Sequence, residues 1–192
     1  MWTSLARILR KLIGRQQTEA PNNQRIDSAK VQAAIRAAGQ EPSGFSSESL
    51  HKLLSIEPCA VAEDYLTKCL PQNAFMCSDV HLLSKEAIEV EVKERSPGAY
   101  ILRFGFVTIA CDLGGNSISL DCKTGRVYFA DHSYVSENEI YYQDPVTQKG
   151  KYLRDYNAQS ILTALPLVAD NLENFVIDLI EDKLGSYLLD FH

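Results

Sequence analysis

The stretch that most constrains this chain is Phe104 to His132, FGFVTIACDLGGNSISLDCKTGRVYFADH. It reads as three short strands, Phe106–Cys111, Ser117–Asp121 and Arg126–Ala130, joined by two tight turns. Glycine enters positive φ at little steric cost, so Gly114, Gly115 and Gly125 mark the reversals. Ile118 and Leu120 alternate with Ser117 and Ser119, and Val127 and Phe129 alternate with Arg126 and Tyr128. Period-two alternation is the pattern of a strand with one buried face. An antiparallel meander follows, with polar residues collected at its rims.

The rim residues are the first candidates for chemistry. Asp112, Asp121 and Asp131 stand at strand ends, with His132 beside the last. Three carboxylates and an imidazole are the ingredients of a divalent-metal site or of acid–base catalysis, so a small metal-dependent enzyme using Asp112, Asp121, Asp131 and His132 is one reading. The competing reading is that aspartates at strand ends cap turns by accepting backbone N–H bonds, and Asp112 before Leu-Gly-Gly-Asn has that position. The second is preferred, which makes Asp112, Gly114, Gly115, Asn116, Asp121, Gly125 and His132 a structural motif, with no metal, cofactor or catalytic residue expected. No nucleophile elbow, P-loop or paired-histidine zinc signature is present.

The same stretch resembles the SUKH superfamily, the Smi/Knr-like group, in its apolar strand, Asp-x-Gly-Gly-Asn, second strand ending in Asp, turn Gly and Val-Tyr-Phe-x-Asp-His. Upstream, Leu82-Leu-Ser-Lys-Glu-Ala-Ile88 is similar to that family's leucine-serine helix start. Downstream, Val168-Ala-Asp-Asn-Leu-Glu-Asn-Phe-Val176 resembles its closing helix. The resemblance spans about residues 75–187. The family's opening helix is not recognisable in Met1–Ala74. The resemblance implies an α+β fold, a sheet meander with helices packed around it. It further implies a non-catalytic function: a bacterial immunity protein that occludes a cognate toxin, or a regulatory scaffold as in the fungal members.

Elsewhere the chain reads as an arm (residues 1–20) and a single domain (21–192). Trp2, Leu5, Ile8, Leu9, Leu12 and Ile13 recur at helical spacing, with Arg7, Arg10 and Lys11 between them. Two readings stay open for residues 1–15: weak docking on a membrane surface or a partner, or packing on the chain's own body. Helices are expected over Ser28–Ala38, from Ser46 or Ser47 through Leu54, over Ala60–Leu70, and over a short stretch at Asn157–Leu162. The last helix starts at Asp170, with Glu173 completing a capping box and Gly185 closing it. Ile88, Val90 and Val92 alternate with Glu89, Glu91 and Lys93, which predicts a strand paired through the Ser96-Pro97-Gly98 turn with Ala99–Phe104.

Charge narrows the partners. The net charge is −6, and residues 1–15 carry +4, which leaves −10 on the rest. An acidic body disfavours binding a phosphate backbone and favours a basic partner, so no direct nucleic-acid contact is expected. Tyr134–Tyr156 holds Glu137, Glu139, Asp144 and Asp155 among five tyrosines. It is either a recognition surface, with Glu137, Glu139, Tyr141, Tyr142 and Asp144 as partner contacts, or a solvated loop whose tyrosines pack down. The five cysteines form no C-x-x-C pair, although Cys111 and Cys122 flank one hairpin. Buried thiols in a reducing cytoplasm are expected, with no secretory signal and no membrane span.

Overall fold

The computed structural model describes residues 25–144 and 146–184; the basic arm, Pro145 and the Gly185 stop lie outside the described residues. The predicted meander forms the middle of the main sheet: β5 (Phe106–Asp112), β6 (Ser117–Asp121) and β7 (Val127–Ala130). β5 pairs with β6 from Phe106↔Asp121 to Cys111↔Ser117, and β6 with β7 from Ser117↔Ala130 to Leu120↔Val127. Gly115 and Gly125 carry φ of +84° and +74° in the two turns. Gly114 has another reason to be glycine: a Cβ there would lie 3.3 Å from both Asn116 Nδ2 and Asp112 Oδ1.

Three strands without a strong sequence signal extend the sheet. β3 (Phe75–Cys77) and β4 (Val80–Leu82) form a hairpin on the β5 side, and β10 (Leu167–Ala169) pairs with β7. The order is β10-β7-β6-β5-β4-β3, antiparallel throughout. Pro42–Ser43 (β1) and Leu70–Pro71 (β2) make a separate small pair. A second two-stranded ribbon joins β8 (Glu139–Gln143) to β9 (Gly150–Arg154), where the sequence reads as irregular or a short edge strand over Tyr134–Tyr142 and as a polar loop over Gln143–Lys151.

Four helices begin at side-chain caps, because the first-turn N–H groups have no partner within the helix. Asp27 caps α1 (Ser28–Ala37), Ser46 caps α2 (Ser47–Leu53), and α3 (Ala60–Lys68) follows. Ser84 caps α4 (Lys85–Glu94), and Asn171 caps α6 (Leu172–Ile180). The last cap lies one residue beyond the predicted Asp170, which instead pairs with Arg126 at 3.3 Å. Glu173 closes no capping box. Its carboxylate accepts from Asp27 N (2.9 Å) and Lys30 Nζ (3.0 Å), tying α6 to the start of α1. The predicted helix near Asn157 is a turn followed by 3-10 geometry over Ile161–Thr163.

The hairpin predicted over Ile88–Phe104 is helical. Ile88, Glu91 and Val92 would be a strand's mixed faces, but at i, i+3 and i+4 they form the buried stripe of α4, while Val90 is exposed. Burial of the Glu91 carboxylate is offset by Arg95, whose Nη1 donates to it at 2.7 Å. Gly98–Ile101 is a short helix, α5, continued by 3-10 geometry over Leu102–Phe104 and ended by Gly105 at φ +92°.

The main sheet is covered on both faces, whereas alternation predicted one. Val107, Ile118, Leu120, Val127 and Phe129 join the larger core with Val31, Ile35, Leu66, Phe175 and Val176, so helices from both ends of the described chain share it. Phe106, Tyr128 and Ala130, at the alternate positions, form a second core with Ile101, Val135, Ile140 and Tyr156. Thr108, Ser117 and Ser119 are buried as well, linked Thr108–Ser119 at 3.4 Å and Ser117–Ser119 at 3.1 Å. No helix among the described residues is long and apolar enough to cross a membrane.

Candidate functional site

The register of the meander separates the rim residues. Asp112, Asp131 and His132 gather at the end of the sheet where Cys111 meets Ser117 and Ser117 meets Ala130. Asp121 lies at the other end, opposite Phe106, four residues along β6 and so about 13 Å away. The four-residue metal site is therefore not assembled, and no group of three His, Cys, Asp or Glu among the described residues is placed to hold a metal ion. Cys111 and Cys122 are parted in the same way, and all five thiols are free.

Each carboxylate instead organises a turn. Asp112 accepts from Asn116 N and from Asn116 Nδ2, both at 2.9 Å. Asp121 accepts from Lys123 N (2.9 Å) and Thr124 Oγ1 (2.6 Å), and Asp131 from Ser133 N (2.7 Å). Buried Asn116 links two of these turns. Its Oδ1 accepts from His132 N at 3.0 Å and stands 3.0 Å from His132 Nδ1, while His132 Nε2 faces Ser133 Oγ at 3.4 Å. The imidazole is thus held on its Nδ1 side, while the ring remains about half exposed, at 49%.

The segment from His132 to Ser136 contributes to two clefts. One, of about 720 Å³, is lined by residues of α4, β4 and β5 and includes His81, Glu91, Arg95, Cys111, Asp112 and His132. Its thiol is poorly suited to attack: burial, then the Glu91 and Asp112 carboxylates, push Cys111 up to about 12. The other cleft, of about 540 Å³, sits on the β8–β9 ribbon and is lined by Ser133, Tyr134, Ser136, Glu139, Tyr141 and Tyr152.

The ribbon sorts the predicted partner contacts by face. Tyr141 pairs with Tyr152 and Glu139 with Arg154, so these four side chains share the outer face. Ile140, Tyr142 and Leu153 occupy the alternate positions and pack on the second core. Tyr142 is therefore removed from the outward set, and Tyr134 and Tyr152 join it. The Tyr134 and Tyr141 rings are 5.1 Å apart and inclined at 58°, and Tyr141 and Tyr152 are 5.2 Å apart and inclined at 60°. Tyr134 is 51% exposed and Tyr152 61%. Gly150 permits this ladder, since a Cβ there would meet Tyr141 Oη at 2.1 Å and Cζ at 2.7 Å. Alternation within β9 would have found Tyr152, had the strand been recognised.

The charges nearby are less available than the sequence suggested. Asp144 is engaged by Lys151 and caps its loop, accepting from Val146 N (2.9 Å) and Thr147 N (2.8 Å). The Lys151 ammonium, followed by the Thr147 N–H, holds its carboxyl well below the usual carboxylate range. Glu139 lies 3.6 Å from Arg154 Nε, and the backbone oxygen of exposed Glu137 accepts from Arg103 Nη2 at 2.6 Å. The Arg103 guanidinium also lies 4.8 Å from the Phe104 ring centre and 5.7 Å from that of Tyr156. Burial raises the Tyr156 phenol, and its hydroxyl donates to Ser136 O at 2.7 Å. The cleft wall is therefore anchored to the second core. Comparison with protein-family models, with characterised proteins and with solved structures finds no match for this chain.

Proposed function

We propose that this protein acts by binding, as an immunity protein that neutralises a cognate toxin by covering its working surface. The observation that carries the reading is the outward ladder Tyr134–Tyr141–Tyr152, on a ribbon outside the main sheet. Tyrosine offers a large contact area with few rotors and a polar tip, the composition of interface hot spots. Resemblance of Phe104–His132 to the SUKH superfamily supplies the toxin as partner. Five unpaired thiols accord with a cytoplasmic site of action. Occlusion needs no reacting group; it needs about 1,600 Å² of total buried surface with a few anchored aromatics. Long-range attraction of a basic partner comes from the body's net charge rather than from the ribbon, where Glu139 and Asp144 are paired within the chain.

The experiment is protection of cells against the toxin encoded beside this gene, together with binding kinetics on the purified pair. Tyr134→Ala with Tyr152→Ala should leave the melting curve in place, because both rings are exposed, and should speed dissociation at least tenfold. Absence of a neighbouring toxin gene with no protection refutes the immunity function, and full protection with unchanged kinetics in the double variant refutes the ladder as its interface.

A further inference from the structure

The tyrosine cleft has a specific chemistry. Its three rings line the cleft and are inclined to one another rather than stacked face to face. Tyr141 is pinned against Gly150, and Ser136 is held by Glu139, donating to Glu139 O at 3.0 Å and accepting from Glu139 N at 3.2 Å. The wall is therefore set before anything binds, which lowers the ordering cost of association. The charged group on this wall is the Glu139 carboxylate. Its partner Arg154 is 77% exposed and 3.6 Å away, an ion pair weak enough to be exchanged.

Aromatic faces beside a carboxylate attract a cation. We propose that this cleft is a guanidinium receptor: it takes an arginine side chain from the protein partner, laid against Tyr134, Tyr141 and Tyr152 and hydrogen-bonded to Glu139, with Arg154 displaced. Arginine fits better than lysine, because a planar guanidinium lies flat on a ring and offers a fork to a carboxylate, whereas an ammonium is a compact, strongly hydrated charge. The same chemistry occurs at the border of the second core, where exposed Arg103 lies over Phe104 and Tyr156. The net charge of −6 is complementary to such a partner. The assignment of the arginine to a partner protein rests on the binding function proposed above; the chemistry of the cleft does not.

The test is an NMR titration of the full chain with N-acetyl-arginine amide, its neutral isostere N-acetyl-citrulline amide, and N-acetyl-lysine amide. The arginine probe should shift the ring signals of Tyr134, Tyr141 and Tyr152 saturably, and citrulline should bind at least fivefold more weakly, with lysine between them. Glu139→Gln should weaken arginine several-fold, and Arg154→Ala should tighten it two- to fivefold by releasing Glu139. Citrulline or lysine binding as tightly as arginine, or indifference to both substitutions, overturns the proposal. Arginine binding as expected while the tyrosine double variant still protects cells would keep the receptor and move the immunity interface off the ladder. Protection that needs Tyr134 and Tyr152, with no preference among the probes, would do the reverse.

Discussion

Replacing Asn116 with alanine should cost about 2–4 kcal/mol of stability. The side chain is 3% exposed and joins the β5–β6 turn to the segment after β7. Its Nδ2 donates to the Asp112 carboxylate at 2.9 Å, a bond to a charged group worth about 1.5–3 kcal/mol. Its Oδ1 accepts from His132 N at 3.0 Å, and leaving that N–H without an acceptor costs about 1–3 kcal/mol. His132 is exposed, so water replaces part of the second bond and the total falls toward the lower end of the two contributions combined. The backbone bond from residue 116 N to Asp112 Oδ1 survives the substitution. For a chain of this length, about 3 kcal/mol corresponds to a fall in Tm of roughly 6–12 °C. Urea unfolding of the wild type, Asn116→Ala, Asp112→Ala and the double variant closes a cycle that isolates the pair. A Tm within 1 °C of wild type would show that Asn116 does not tie the two turns, and strictly additive single effects would show that it is not coupled to Asp112. The His132 amide resonance should move in the same variant, since it loses its acceptor.

Gly98→Ala should destabilise by about 1–3 kcal/mol, because the new Cβ falls 2.7 Å from Thr108 Oγ1 and 2.8 Å from Glu91 O; an unchanged urea midpoint would mean α5 is not packed this closely. The thiols should alkylate slowly in the native state at pH 8, with Cys69 and Cys77 pushed up to about 11 and Cys111 to about 12, chiefly by burial, and rapid labelling without unfolding would contradict their burial. These folded values lie above the unfolded thiol value of 9.0, so the associated stability is complete below pH 9 and is lost as pH rises toward 11–12; a Tm flat from pH 9 to 11 would refute this. Gly150→Ala should leave the main sheet intact yet displace the Tyr141 ring, and a toxin off-rate equal to wild type would separate the ladder from binding.

The meander was legible in the sequence because its determinants are local. A hairpin is specified by its turn residues and by period-two alternation, and Gly115 and Gly125 carry the positive φ that the turns require. Helix starts were legible where a cap precedes an apolar stripe, as at Ser46, and were missed by one residue where Asp170 and Asn171 both qualify. The α4 segment was misread because Ile88 and Val92 satisfy a helix and a strand equally. The deciding facts are the Ser84 cap and the Glu91–Arg95 pair, and Gly105, which breaks the chain before β5, was the overlooked signal.

Other features depend on contacts between distant segments, which no local pattern encodes. Ser117 and Ser119 alternate like solvent-facing residues, yet both are buried, and their hydroxyls satisfy one another. The carboxylates at strand ends were visible as a set, but the antiparallel register sends Asp121 to one end of the sheet and Asp112 and Asp131 to the other. The tyrosines of the ribbon were visible as composition. Which of them face outward was decided by pairing β8 with β9 over the second core, where a strand's period of two allows Tyr141 and Tyr142 only opposite faces.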